Sequence, residues 1–176
     1  MKTTKIPFYA SIMAIAFATL AISCKKDKEP DGPSGGGAGA SGSLKATVGT
    51  ANFSSNPSFS KATRISVGTS ETITVQGNDD GGKAIILVLN GVDGPATYAI
   101  GGGANISISA SYIEANAANP AATQTWQAPF DATEAGEVTI TTLTSSNIEG
   151  SFHFKAKNSS DNSEVEVKEG SFEMEF

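Results

Sequence analysis

From Leu44 onward the chain alternates apolar and polar residues with a period of two, the signature of strands that bury one face. Leu44, Ala46 and Val48 alternate with Lys45 and Thr47, and Thr63, Ile65 and Val67 follow the Asn56-Pro57 turn signal. Ile73 and Val75 lie between Thr72, Thr74 and Gln76. Each of these apolar sets is expected to point inward. Lys83 to Asn90 differs, because Ala84 to Leu89 is apolar at every position. That predicts a central strand covered on both faces, with Lys83 and Asn90 discouraging its pairing with other chains. Further on, Ile106, Ile108, Ala110 and Tyr112 alternate with serines, and Val138, Ile140 and Thr142 form another inward set. Ile148, Gly150, Phe152, Phe154 and Ala156 line one face of the next strand; Val165 and Val167, then Phe172, Met174 and Phe176, complete the series. Phe176 is expected to lie inside the sheet.

Turn chemistry separates these runs. Asn78-Asp79-Asp80-Gly81-Gly82 supplies residues that tolerate positive φ and reads as a hairpin. Its acids lack the alternating ligand spacing of a dedicated calcium loop. Gly91 to Pro95, Gly101 to Gly103 and Asn158 to Ser163 are the other turns. Glu114 to Ala135, rich in Ala and Asn with Pro120 and Pro129, reads as the one long interruption. Glu149-Gly150-Ser151-Phe152 recurs as Glu169-Gly170-Ser171-Phe172, which predicts two strands meeting their turns alike; two copies make no solenoid. Together these elements predict an all-β fold over residues 44–176: a single antiparallel β-sandwich or flattened barrel of about ten short strands.

The chain before Leu44 follows other rules. Lys2 and Lys5 precede Phe8 to Ile22, an uncharged, apolar-dominated run of the length of a secretory segment and short of the ~20 residues of a membrane-spanning helix. Residues 1–23 therefore read as a signal peptide. Small residues Ala21 and Ser23 precede Cys24, the only cysteine, and Lys25-Lys26-Asp27-Lys28-Glu29 follows it. Pro30 to Ser34 and an unbroken Gly/Ala/Ser segment from Gly35 to Ser43 cannot bury apolar surface, so residues 24–43 read as a disordered tether. Nineteen flexible residues span roughly 25 Å.

Charge narrows the partners. Removing residues 1–23 takes away Lys2 and Lys5 and no acid, leaving 10 basic against 18 acidic side chains, a net charge of −8. Nucleic acid demands a basic face and is excluded. Anionic lipid is equally unsuited to the folded domain, so membrane contact is expected through Cys24 alone. One cysteine permits no intramolecular disulfide, and stability must come from packing.

Candidate chemistry is sparse. His153, the only histidine, falls in register with Ser151, Lys155 and Lys157, opposite Phe152 and Phe154, and is expected to face water. Neither Ser151 nor Ser109 has a partner at triad spacing, and one histidine makes no metal site. No catalytic, cofactor or metal-binding residue is assigned. Two carboxyls converging across a cleft would be needed for glycoside hydrolysis, but most acids lie in turns or on outward positions. Trp126 and Phe130, with Tyr112, are the candidate ligand contacts. Either they offer a stacking platform to a sugar or an apolar ligand, or Trp126 and Phe130 cap the end of the core.

The residues around Cys24 resemble the lipobox of bacterial lipoproteins, with Ala21 where Leu is usual and Leu20 one step earlier. That resemblance implies a diacylglyceryl thioether on Cys24 and cleavage before it. The charged run after Cys24 is similar to the surface-export signal of Bacteroidota lipoproteins. Residues 136–176 resemble an uncharacterised family of such lipoproteins, known as a domain of unknown function. The match rests on Asn147, Ile148, Gly150, Ser151, Phe152, Phe154, Ala156, Asn158, Val165 and Val167, and on Gly170-Ser171-Phe172. It implies an exported, lipid-anchored β-domain and transfers no active site. The expectation is a non-enzymatic lipoprotein of the outer membrane, surface-exposed or periplasm-facing, binding an envelope protein or a glycan. The alternative is a carbohydrate- or lipid-binding accessory using a pocket near Trp126.

Overall fold

The computed structural model describes residues 42–102 and 107–176, and the fold is all-β. The signal peptide, Cys24 and nearly all of the tether lie outside the described residues, as does Ile106. Eleven strands are described: β1 (Gly42–Val48), β2 (Ala51–Ser54), β3 (Lys61–Val67), β4 (Ser70–Asn78), β5 (Lys83–Asn90), β6 (Ala96–Gly101), β7 (Ile108–Glu114), β8 (Gln124–Ala128), β9 (Glu134–Leu143), β10 (Asn147–Lys157) and β11 (Glu164–Glu175). The first strand thus takes in Gly42 and Ser43. Every pairing is antiparallel.

The strand order is β2-β1-β11-β10-β8-β7-β5-β4-β3, with β9 also pairing with β10 and β6 with β9. β10 is where the sheet turns on itself. Asn147 to Lys157 pairs with β11, Ile148 to Phe154 with β9, and Lys157 alone with Gln127 of β8. The open sheet therefore doubles back as a sandwich, with the β6-β9-β10-β11-β1-β2 layer over the β8-β7-β5-β4-β3 layer. A methyl on Gly77 of β4 would lie 2.8 Å from Cβ of Leu44 on β1, so the two layers touch backbone to side chain there. The crossing at Ser55 is tied by Ser55 N donating to Leu44 O (2.8 Å) and Asn56 N donating to Asn78 O (2.7 Å). Between the layers lie Leu44, Ile73, Val75, Ile85, Leu87, Leu89, Val138, Ile140, Phe152, Phe154, Phe172 and Met174, all buried. Each such side chain contributes about 1.5–3 kcal/mol relative to exposure.

β10 and β11 pack closely at two glycines. Gly150 pairs with Phe172, Ser151 with Ser171 and Phe152 with Gly170. The repeated Glu-Gly-Ser-Phe therefore marks no turn: both copies lie within strands and face each other about a local two-fold. Each phenylalanine covers the bare backbone of the glycine opposite. A methyl on Gly170 would sit 2.5 Å from the Phe152 ring, and one on Gly150 would sit 2.7 Å from the Phe172 ring. The two rings stack with centroids 6.2 Å apart. A bulge follows at Lys168-Glu169, with Glu169 at φ 51°. It moves the inward set from Val167 to Gly170, Phe172 and Met174.

Several expectations need correcting. The supposed interruption from Glu114 to Ala135 contains β8, which pairs with β7 along its five residues and reaches β10 at Gln127. β2, a short edge strand of four residues, was not foreseen from the pattern. Thr63, Ile65 and Val67 do not point inward. Ala62 is the buried residue of β3, and Ile65 and Val67 are exposed, because Ala62 pairs with Val75 and Arg64 with Ile73. On β9 a bulge at Thr141 breaks the alternation, so Thr142 turns out toward Glu149 and Leu143 pairs with Ile148. β5 is central, as expected, but Ile86 and Val88 on its outer face are only half-buried.

Gly170→Ala is expected to lower stability by about 2 kcal/mol or more, because Phe152 must leave its rotamer to admit the methyl. Gly94→Ala, with nothing within 4 Å and no positive φ, is expected to be neutral or slightly stabilising. Urea denaturation of the two variants checks the contrast.

Candidate functional site

Two polar clusters close the sandwich. The first surrounds Trp126. β7 and β8 pair Tyr112 with Trp126, and their rings lie 5.5 Å apart at a 34° tilt. The indole Nε1 donates to Ser163 Oγ at 2.9 Å, and Asn158 Nδ2 donates to Gln124 Oε1 at 2.7 Å. Asn158, itself buried, also accepts from Ser160 N through Oδ1. These bonds join the β10–β11 turn to β8, which explains why a polar residue is buried there without penalty. The Tyr112 hydroxyl donates to Glu114 Oε1 at 2.6 Å, and Lys83 Nζ lies 3.6 Å from that oxygen. Burial first, then the Glu114 bond and charge, push the Tyr112 phenol well above its ordinary value.

Of the three candidate ligand contacts, two meet. Tyr112 is buried and Trp126 is half-buried, packed on the core with its indole N–H engaged. Phe130 stands apart on the loop after the cis Ala128-Pro129 bond, more than a third exposed. His153 faces water from β10, opposite Phe152 and Phe154 and across from Glu137 of β9. Ser151 is exposed beside Ser171, and Ser109 is half-buried beside Val88. In the Asn78–Gly82 hairpin, Asp79 Oδ1 accepts from Gly81 N at 2.8 Å and Lys83 N at 2.7 Å, the bonds of a turn. Among the described residues no three His, Cys, Asp or Glu side chains stand together as metal ligands.

The second cluster was not foreseen from the sequence. An open cleft of about 520 Å³ is lined by Arg64, Thr69, Glu71, the Gly91–Asp93 turn and Leu143 to Ser145. Arg64 forms its floor. The guanidinium carries Nη1 to the Thr144 carbonyl at 2.9 Å, sets Nε 3.1 Å from Glu71 Oε1 and lies 4.5 Å above the Phe176 ring. The Nε contact is an ion pair whose angle falls outside a hydrogen bond. One side chain thus spans the layers, from β3 to the β9–β10 turn and the end of β11. Phase in the sequence was the available signal: Arg64 follows Ala62 and Glu71 precedes Ile73 at inward positions, where a charge needs a partner.

The fold and its two closures define an all-β sandwich domain with polar ends and an apolar core. A family model described as "Domain of unknown function (DUF6252)" matches residues 45–174, and the chain belongs to that family. No curated protein and no solved structure matches the chain.

Arg64→Lys is expected to cost about 1–2 kcal/mol, since an ammonium cannot reach Thr144 O, Glu71 and the Phe176 ring together; urea denaturation reads the loss. Tyr112 gives a pH signature. Its folded-state value lies above that of the unfolded phenol, so its contribution is fully present below about pH 10 and lost as pH rises beyond it. Tyr112→Phe is expected to cost about 1 kcal/mol at neutral pH and to flatten the alkaline fall in melting temperature.

Proposed function

We propose that the protein is a lipid-anchored outer-membrane lipoprotein of Bacteroidota type that displays its β-sandwich as a non-enzymatic binding or structural module. The observation that carries this reading is the place of Cys24. The chain's only cysteine stands where an uncharged apolar run ends, after Ala21 and Ser23 and before Lys25 to Glu29. A thioether-linked diacylglycerol with a further acyl chain on the amine would hold the protein stably, because several chains together exceed the marginal, reversible hold of one. Strand β1 begins at Gly42, so the last two residues of the Gly/Ala/Ser segment, Gly42 and Ser43, already belong to the sheet. The acidic domain is ill suited to docking on anionic lipid itself.

The non-enzymatic reading is supported by where the candidate groups lie. His153 is exposed on its strand face, with Ser151 and Lys155 on the same strand and Glu137 across from it. Among the buried polar groups, Tyr112 and Asn158 spend bonds on Glu114 and Gln124, and Ser55 and Ser60 on the backbone of Leu44 and Asn56.

Mass spectrometry of the mature N-terminus is expected to find acylated Cys24 as the first residue, and Cys24→Ser is expected to leave the envelope fraction for the soluble one. An unmodified N-terminus elsewhere, or a serine variant that stays with the envelope, rejects the reading.

A further inference from the structure

We infer that Asp93-Gly94, in the turn between β5 and β6, is a site of backbone modification through a succinimide, and that the fold shields Asn90-Gly91 from the same chemistry. The reaction joins the amide nitrogen of the following residue to the side-chain carbonyl carbon of an aspartate or asparagine. Glycine in the following position leaves that approach unobstructed. The described residues hold three such pairs: Asp80-Gly81, Asn90-Gly91 and Asp93-Gly94. Asp31-Gly32 lies outside them. By residue type alone Asn90-Gly91 is the most reactive at neutral pH, because a carboxamide is a better electrophile than an ionised carboxylate.

Hydrogen bonds reverse that order. Asn90 Oδ1 accepts from Thr72 Oγ1 at 2.6 Å and its Nδ2 donates to Ser107 O at 3.0 Å. Gly91 N, the nitrogen that would attack, donates to Glu71 O at 2.9 Å. Asp80 is held likewise, with Oδ1 accepting from Asn56 Nδ2 at 2.6 Å and Gly81 N donating to Asp79 Oδ1 at 2.8 Å. Fixing both reactants apart keeps them from an attack geometry. Gly94 N, by contrast, has no acceptor among the described residues. Asp93 is exposed, and its Oδ1 lies 3.3 Å from the Tyr98 hydroxyl, which sits closer to Gly94 O at 2.9 Å. Nothing lies within 4 Å of where a Cβ would stand on Gly94, so the turn has room for the ring.

The atoms balance without an outside reagent. Gly94 N bonds to Asp93 Cγ, and the carboxyl hydroxyl leaves with the amide proton as water. Water then returns to either ring carbonyl. Breaking the Cγ–N bond restores aspartate, whereas breaking the original peptide bond leaves isoaspartate, its main chain routed through Cγ. The isomer lengthens the turn by a methylene and moves a carboxylate on the rim of the Arg64 cleft.

The full chain is incubated at neutral pH, folded and in urea, for several times the period in which the urea sample loses its Asn90 amide. Peptide mass spectrometry with electron-transfer fragmentation then separates isoaspartate from aspartate at each site. The folded chain is expected to accumulate isoaspartate at Asp93 while Asp80 and Asn90 stay unconverted. In urea, Asn90 is expected to react before either aspartate. Gly94→Ala is expected to slow conversion at Asp93 about tenfold or more, since the methyl crowds the attacking nitrogen and raises the barrier. An unmodified Asp93 in the folded chain overturns the inference, as does an Asp80 that converts as fast. So does an Asn90 that deamidates as quickly folded as in urea, or a Gly94→Ala chain that converts at the parent's rate.

Discussion

Two phenylalanine rings laid over two glycines organise this domain. Phe152 covers Gly170 and Phe172 covers Gly150, and the strands that carry them are the longest in the sheet. Glycine weakens a strand by leaving backbone bare. Here the bareness is filled by an aromatic ring from the neighbour, twice, about one centre. The exchange fixes register, because a slip of one residue would set rings against Ser151 and Ser171 and turn the inward face outward. Packing at this point is close enough that no methyl fits, which is the condition for one register to exclude the others.

From that centre the sheet can fold. β10 reaches β9 along most of its length and β8 only at Lys157, so it belongs to one layer and hands the sheet to the other at its end. Facing layers then need closing where the strands stop, since strand ends leave polar groups without a ladder. Asn158 with Gln124, Trp126 with Ser163, and Tyr112 with Glu114 close one region; Arg64 with Glu71, Thr144 and Phe176 closes the other. These side chains satisfy one another's polar groups at the rim of the apolar core. The cleft above Arg64 results from this closure.

Much of this was legible in the residues. Alternation located most strands, the Asn-Asp-Asp-Gly-Gly turn was correct, and the inward line of Ile148 to Ala156 was read in full. Errors fell where one residue shifts a phase. Thr141 is a bulge, so Thr142 and Leu143 exchanged faces; Ile65 and Val67 kept perfect alternation and still pointed out, because Ala62 set the phase. Trp126 was singled out as a long-loop aromatic, yet it stands on a strand against Tyr112. The Arg64 cluster was missed because its partners come from residues 71, 144 and 176, distances that no local pattern joins.

By itself the sequence determined the class of fold and its punctuation: two-residue periodicity that only strands can use, broken by runs of Gly, Asn and Asp that turn the chain. Local pattern suffices for those properties, because each follows from what neighbouring side chains do to water and to the backbone. Tertiary structure decided the rest: which strands pair, which apolar faces stay outside, and that two distant Glu-Gly-Ser-Phe repeats lie against each other. Those outcomes depend on which surfaces meet after the chain has folded back. Alternation names two faces for every strand and leaves their choice to the partner across the sheet.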